Sequence, residues 1–300
     1  MTTSRPRSMA ARIAVLVLVA ALGLAALWTP APASAEGTVD QENLTSAAAS
    51  EPLPSLLYDQ YFGQTFRPGR WGYLDQIKVG MVVPSQLTLT MYVRELKNEG
   101  DGSFSKEILA QASATVDPGG SCDQQSLSLV TFEFAQPAVV RPDRDYVLHV
   151  DIGSYDSQAC VGGPYPSGTF VLVFDDGPVD GPTDGTPGPG TDGIVIFVVS
   201  GGPGEDLVFQ TFVDTGAYID DQFALLRQQI DGLSPLPKLL LKRFLPWTIH
   251  SPFACLGLGA TSLTQARLEQ WYPTALDEVA ETLANLSGAL NCGPWPPTWL

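Results

Sequence analysis

The chain has 300 residues, with 32 acidic against 16 basic side chains and a net charge of −16. A polyanion of that size repels phosphate backbones, which argues against nucleic acid as a partner. The length supplies enough apolar residues for one large core or two small ones.

The first 35 residues read as an export signal. Arg5, Arg7 and Arg12 precede an apolar run from Ile13 to Leu27, and a polar stretch then ends Ala33-Ser34-Ala35. The small residues at 33 and 35 match the cleavage pattern of secretory signals. The run falls short of the roughly 20 apolar residues that a bilayer-spanning helix needs. Cleavage after Ala35 yields a secreted chain with no membrane span. It removes three arginines and no acid, leaving a net charge of −19. Residues 36–57 are small and polar and read as a flexible arm.

From Tyr58 the hydrophobic period is two. Ile77, Val79 and Met81 alternate with polar or small residues, as do Leu87, Leu89, Met91 and Val93. The same holds for Ile108 to Val116, Val130 to Phe134, Tyr146 to Ile152, and Phe170 to Phe174. Each run has strand length and is bounded by turn residues. One buried and one wet face is antiparallel behaviour. Many such strands without intervening helices predict a mainly β fold, an antiparallel β-sandwich of jelly-roll type, over 58–213.

Residues 175–193 read DDGPVDGPTDGTPGPGTDG. Composition alone suggests a linker. The apolar runs Ile194–Val199 and Asp206–Val213 lie beyond it, and if they pair with earlier strands the stretch is a loop within the sandwich. Asp176, Asp180, Asp184 and Asp192 could offer oxygens to Ca2+, although calcium loops space their ligands two apart.

Several segments resemble one known class. They are Gln64-Thr65-Phe66, the run Tyr73 to Val79, LTLTMYVREL, VTFEFAQPAVVRPDRDYVLHVDI and EDLVFQTFVD. Together they resemble secreted bacterial β-sandwich modules of the choice-of-anchor or carbohydrate-binding-like type, over about 58–213. The resemblance implies extracellular display or ligand binding. It carries no catalytic residues.

From Asp214 the period changes. Ile219, Phe223, Leu226, Ile230 and Leu233 step by four and three, which predicts a helix. Further helices are predicted around Pro237–Leu245, from a capping box Ser262-x-x-Gln265 to near Trp271, and over about Thr274–Leu286. Residues 214–300 thus form a small helical C-terminal region.

The cysteines are Cys122, Cys160, Cys255 and Cys292. An even count in an exported chain reads as two disulfides, with three pairings open. Cys122–Cys160 and Cys255–Cys292 are favoured because each pair stays within one composition zone.

No nucleophile elbow, zinc-protease motif or phosphate-cradling glycine motif occurs. Trp71, Tyr73 and Tyr92 are candidate exposed aromatics that could stack on sugar rings; the alternative is packing at a sandwich edge. His149 and Asp151 share one strand face; at i and i+2 they could start a metal or acid–base site, the alternative being a simply exposed polar face. Lys238, Lys242 and Arg243 form the densest basic cluster and could meet an anionic envelope polymer. The sequence therefore favours a non-catalytic binding or surface-interaction protein with a polysaccharide or cell-envelope polymer as partner. A secreted hydrolase using unidentified carboxylates and a structural envelope protein are the alternatives.

Overall fold

The computed structural model describes residues 37–44, 60–98, 103–104, 107–151, 157–175, 194–197, 206–272 and 274–293. Strands β3 (Gly72–Val82), β4 (Leu87–Asn98), β6 (Ala110–Val116), β7 (Leu129–Val140), β8 (Tyr146–Asp151) and β11 (Phe170–Asp175) match the alternating runs of the sequence, and β2 (Gln60–Phe66) holds the Gln64-Thr65-Phe66 segment. They join β1 (Thr38–Asn43), β5 (Ser103–Phe104), β9 (Gln158–Ala159), β10 (Val161–Gly162), β12 (Ile194–Phe197), β13 (Asp206–Leu207) and β14 (Phe209–Asp214).

One sheet has the order β1-β14-β3-β7, with β9 beside β3. A second runs β12-β11-β2-β8-β4-β5, with β6 also beside β4, and β10 and β13 form a separate two-stranded sheet. Every pairing is antiparallel. The core lies between the first two sheets. Leu74, Ile77, Val79, Phe132 and Phe209 come from the first sheet, and Phe62, Phe66, Leu89, Met91, Leu148 and Val150 from the second. Each such side chain, fully buried, stabilises by about 1.5–3 kcal/mol. On β4 the intervening Thr88 and Thr90 turn outward, and their hydroxyls face those of Thr115 and Ser113 across the strand pair at 3.4 and 3.2 Å. In β3 the inward positions step from Leu74 to Ile77, because the register with β7 shifts between Leu74 and Gln76. Such an irregularity resets which face each residue meets.

Three sequence expectations change. Thr38–Asn43, read as part of a loose arm, is an edge strand paired with β14. TVDQEN lacks apolar alternation because most of this strand is not buried. Its anchor is Asn43, whose Nδ2 donates to the Gly163 and Leu207 carbonyls at 2.9 and 3.0 Å. Second, His149 is 4% exposed rather than on a wet face. Strand β8 is buried on both sides, as the burial of Val147 beside it confirms. Third, Ser262 caps no helix. Its hydroxyl donates to the Leu258 carbonyl at 3.0 Å, one turn back within a longer helix.

Strand β12 pairs with β11, Asp175 standing opposite Ile194, so residues 176–193 connect two partners of one sheet. Beyond them, β14 inserts between β1 and β3. Residues 176–193 themselves lie outside the described residues.

Four helices follow: α1 (Thr215–Gly232), α2 (Pro235–Phe244), α3 (Ala254–Glu269) and α4 (Asp277–Ala289). Asp214 ends β14 and is also the N-cap of α1, its Oδ1 accepting from Ala217 N at 2.9 Å. Strand and helix are thus joined without a linker. The helices bury their own core, formed by Phe223, Leu226 and Ile230 of α1 with Leu241, Leu258, Leu283 and Leu286 from the others. The disulfides are Cys122–Cys160 and Cys255–Cys292, with Cα separations of 5.2 and 5.3 Å. The first ties the loop after β6 to the β9–β10 junction. The second ties the start of α3 to the end of α4.

Candidate functional site

The aromatics predicted to meet sugars are half-buried, each with an intramolecular ring contact. Trp71 stacks on Tyr218 of α1 at 6.3 Å, and the Arg141 guanidinium lies 4.9 Å from the Trp71 ring centroid. A Cβ on Gly288 would come within 3.0 Å of the Trp71 ring, so α4 also presses against it. Tyr73 meets Tyr218 edge-on at 5.4 Å and donates its hydroxyl to Asp221 Oδ2 at 2.9 Å. Burial, then that hydrogen bond, pushes its pKa up to about 12. Thr215 Oγ1 donates to the Trp71 carbonyl at 2.7 Å. Both aromatics thus contact Tyr218 of α1 beside β3.

Tyr92 lies elsewhere. It stacks at 5.0 Å on His149, whose Nε2 is 3.3 Å from Arg94 Nε. Burial first, and the Arg94 charge second, lower the His149 pKa to about 3. A base that weak stays neutral near pH 7 and transfers protons poorly there. Asp176, Asp180, Asp184 and Asp192 lie outside the described residues. Among the described residues, no three His, Cys, Asp or Glu side chains are grouped to hold a metal.

The Gln64-Thr65-Phe66 and EDLVFQTFVD segments meet at a buried knot. Asp206 accepts from Gln64 Nε2 at 2.9 Å, Tyr165 N at 2.7 Å and Phe170 N at 2.9 Å. Gln64 Oε1 in turn accepts from Leu207 N at 2.9 Å. A carboxylate so fully engaged is a tether between strands, with no oxygen directed at a substrate. Asp75 is raised by burial, and its Oδ2 accepts from Gly37 N at 3.0 Å. A Cβ at Gly37 would stand 2.7 Å from its Oδ1, so β1 closes over this carboxylate.

The distinctive surface is on the helical region. Helix α2 buries Pro237 and Leu241 and turns Leu236 and Leu239 to solvent, Leu239 being 69% exposed. Arg243 continues that row one turn on. At the start of α3, Phe253 is 69% exposed, and Leu256 and Leu263 follow at helical spacing on the side away from Leu258 and Leu268. Arg267 extends this second row. The connection between the helices carries Trp247 at 95% exposure, and Trp271 beyond α3 is 79% exposed. The helices are held close because Gly257 faces Pro246, where a Cβ would come within 3.0 Å.

The charge here is opposite to that of the chain. Residues 231–271 hold Lys238, Lys242, Arg243 and Arg267 against Asp231 and Glu269, a net of +2 within a chain of −16. Lys238 and Lys242 both pair with Asp231, whose pKa their hydrogen bonds lower. Arg243 and Arg267 are exposed at the ends of the two apolar rows. The sequence flagged the cations but not the apolar rows. A leucine on a helix reads as core by default. The signal was the excess: Leu236, Leu239, Leu240, Leu241 and Phe244 are more apolar residues than one face of a ten-residue helix can bury.

No protein-family model matches the chain, and no curated protein matches it.

Proposed function

We propose that this is an exported, non-catalytic surface-interaction protein, in which the sandwich carries a helical module whose outer α2–α3 surface engages the cell envelope. One observation carries the reading. Large apolar side chains stand in solvent on α2 and α3, two tryptophans stand in solvent in the segments that join and follow them, and cations stand at the row ends. Soluble proteins seldom leave apolar patches of that kind without an interaction to use them. Two disulfides agree with an oxidising compartment. The likeness to secreted β-sandwich modules points the same way, while the engagement of Trp71 and Tyr73 in packing shifts the binding role from the sandwich to the helices.

The test is fractionation of cells expressing the complete chain, wild type against Leu239→Ser with Trp247→Ser. The reading expects envelope association that the double variant loses while its melting temperature is retained. Equal distribution of the two proteins would overturn it.

A further inference from the structure

We infer that the partner of the α2–α3 surface is an anionic lipid surface, bound peripherally. The inference rests on the surface-interaction reading above and names its partner.

Interfacial helices present apolar side chains to the acyl boundary and cations to the headgroups. Tryptophan suits that boundary, because its ring is apolar and its indole N–H is polar. Here Leu239 and Phe253 supply apolar reach and Trp247 the boundary residue, each well exposed. Arg243 and Arg267 stand one turn beyond Leu239 and Leu263, so cations flank the apolar rows. The segment 231–271 carries a net charge of +2 within an acidic chain, Lys238 and Lys242 being paired with Asp231 and His250 standing 3.3 Å from Asp220 of α1, which leaves Arg243 and Arg267 as the cations offered to headgroups. Repulsion of the acidic remainder orients the protein, with the helices toward the lipid and the sandwich away. Among the described residues no helix is long and apolar enough to cross a membrane.

A second copy of the chain fits less well. Two such surfaces would bring together like charges, Arg243 and Arg267 of each copy.

The experiment is co-sedimentation with vesicles of phosphatidylcholine alone or mixed with phosphatidylglycerol. The protein is purified from cells expressing the complete chain. Binding is expected on the mixed vesicles and much less on the neutral ones. Arg243→Gln and Arg267→Gln each weaken it about fivefold. Leu239→Ser weakens it about tenfold. Raising salt from about 0.1 M to about 1 M shortens the screening length from about 10 Å to about 3 Å, and wild-type binding falls without any substitution. Binding indifferent to salt and to all three substitutions would overturn the inference. So would a solution dimer that Leu239→Ser dissociates, which would assign the surface to a second copy. If vesicles are not bound while envelope association still needs Leu239, the lipid partner is wrong and the surface reading stands. If neither depends on Leu239, both fall.

Discussion

Replacing Asp206 by alanine removes the acceptor at the centre of the buried knot. Three donors lose their partner: Gln64 Nε2, Tyr165 N and Phe170 N, now at 2.7–2.9 Å. A buried donor left unsatisfied costs about 1–3 kcal/mol. Gln64 already lies 3.2 Å from the Thr65 carbonyl and can lean on it. Water can enter the space left by the carboxylate. The total is then about 3–5 kcal/mol, set mainly by the two backbone donors. That is a large part of the 5–15 kcal/mol that usually separates folded from unfolded chains. Asp206→Asn keeps one acceptor but sets an amide N–H against a backbone N–H, and is expected to cost about 2–3 kcal/mol. The assay is urea unfolding followed by tryptophan fluorescence, with amide exchange at Tyr165 and Phe170. Asp206→Ala within about 1 kcal/mol of wild type would refute the view that this knot holds β2, β11 and β13 together.

Other expectations concern different parts of the molecule. Trp71→Ala should lower stability by about 2–4 kcal/mol, since the ring is half-buried between β3, α1 and α4. Unchanged stability with lost polysaccharide retention would instead restore a sugar-stacking role. Cys255→Ala with Cys292→Ala opens a cross-link of sequence separation 37 and should cost the helical region about 3–4 kcal/mol. Non-reducing peptide mapping should recover both pairs, and Cys122 joined to Cys292 would contradict the fold. His149 has its folded pKa lowered to about 3, below its ordinary 6.5. The unfolded chain therefore takes the proton first. The stability that neutral His149 supports is complete above pH 6.5 and declines as pH falls toward 3, by up to about 1.4 kcal/mol per pH unit. His149→Gln should flatten the stability profile between pH 6.5 and 5, where few carboxylates titrate; an identical slope in both proteins would count against burial of a neutral imidazole.

The sandwich was legible because alternation is a direct record of one buried face. Leu89, Met91 and Val93 read correctly for that reason. The helix over Ile219–Leu233 was legible for the same reason at a different period. Strand β1 was not legible, since most of an edge strand is exposed and its polar sequence records no face. The start of α3 was hidden by Gly257 and Gly259, which weaken helix propensity; Gly257 also permits the close approach of Pro246. The burial of His149 was hidden because polar residues default to the wet face of a strand, whereas β8 is covered on both. The disulfides were legible from zoning because each joins segments of one core. The outer rows of α2 and α3 escaped notice because sequence counts apolar residues without saying which ones the fold leaves uncovered.

The most direct test of the surface assignment is site-specific photo-crosslinking in intact cells. A photoreactive residue is placed at Leu239 on α2, or at Thr88 on the exposed side of the sandwich as control. The account predicts capture of envelope material, lipid included, from position 239 and little from position 88. Capture at 88 with none at 239 would contradict it and return the binding role to the sandwich.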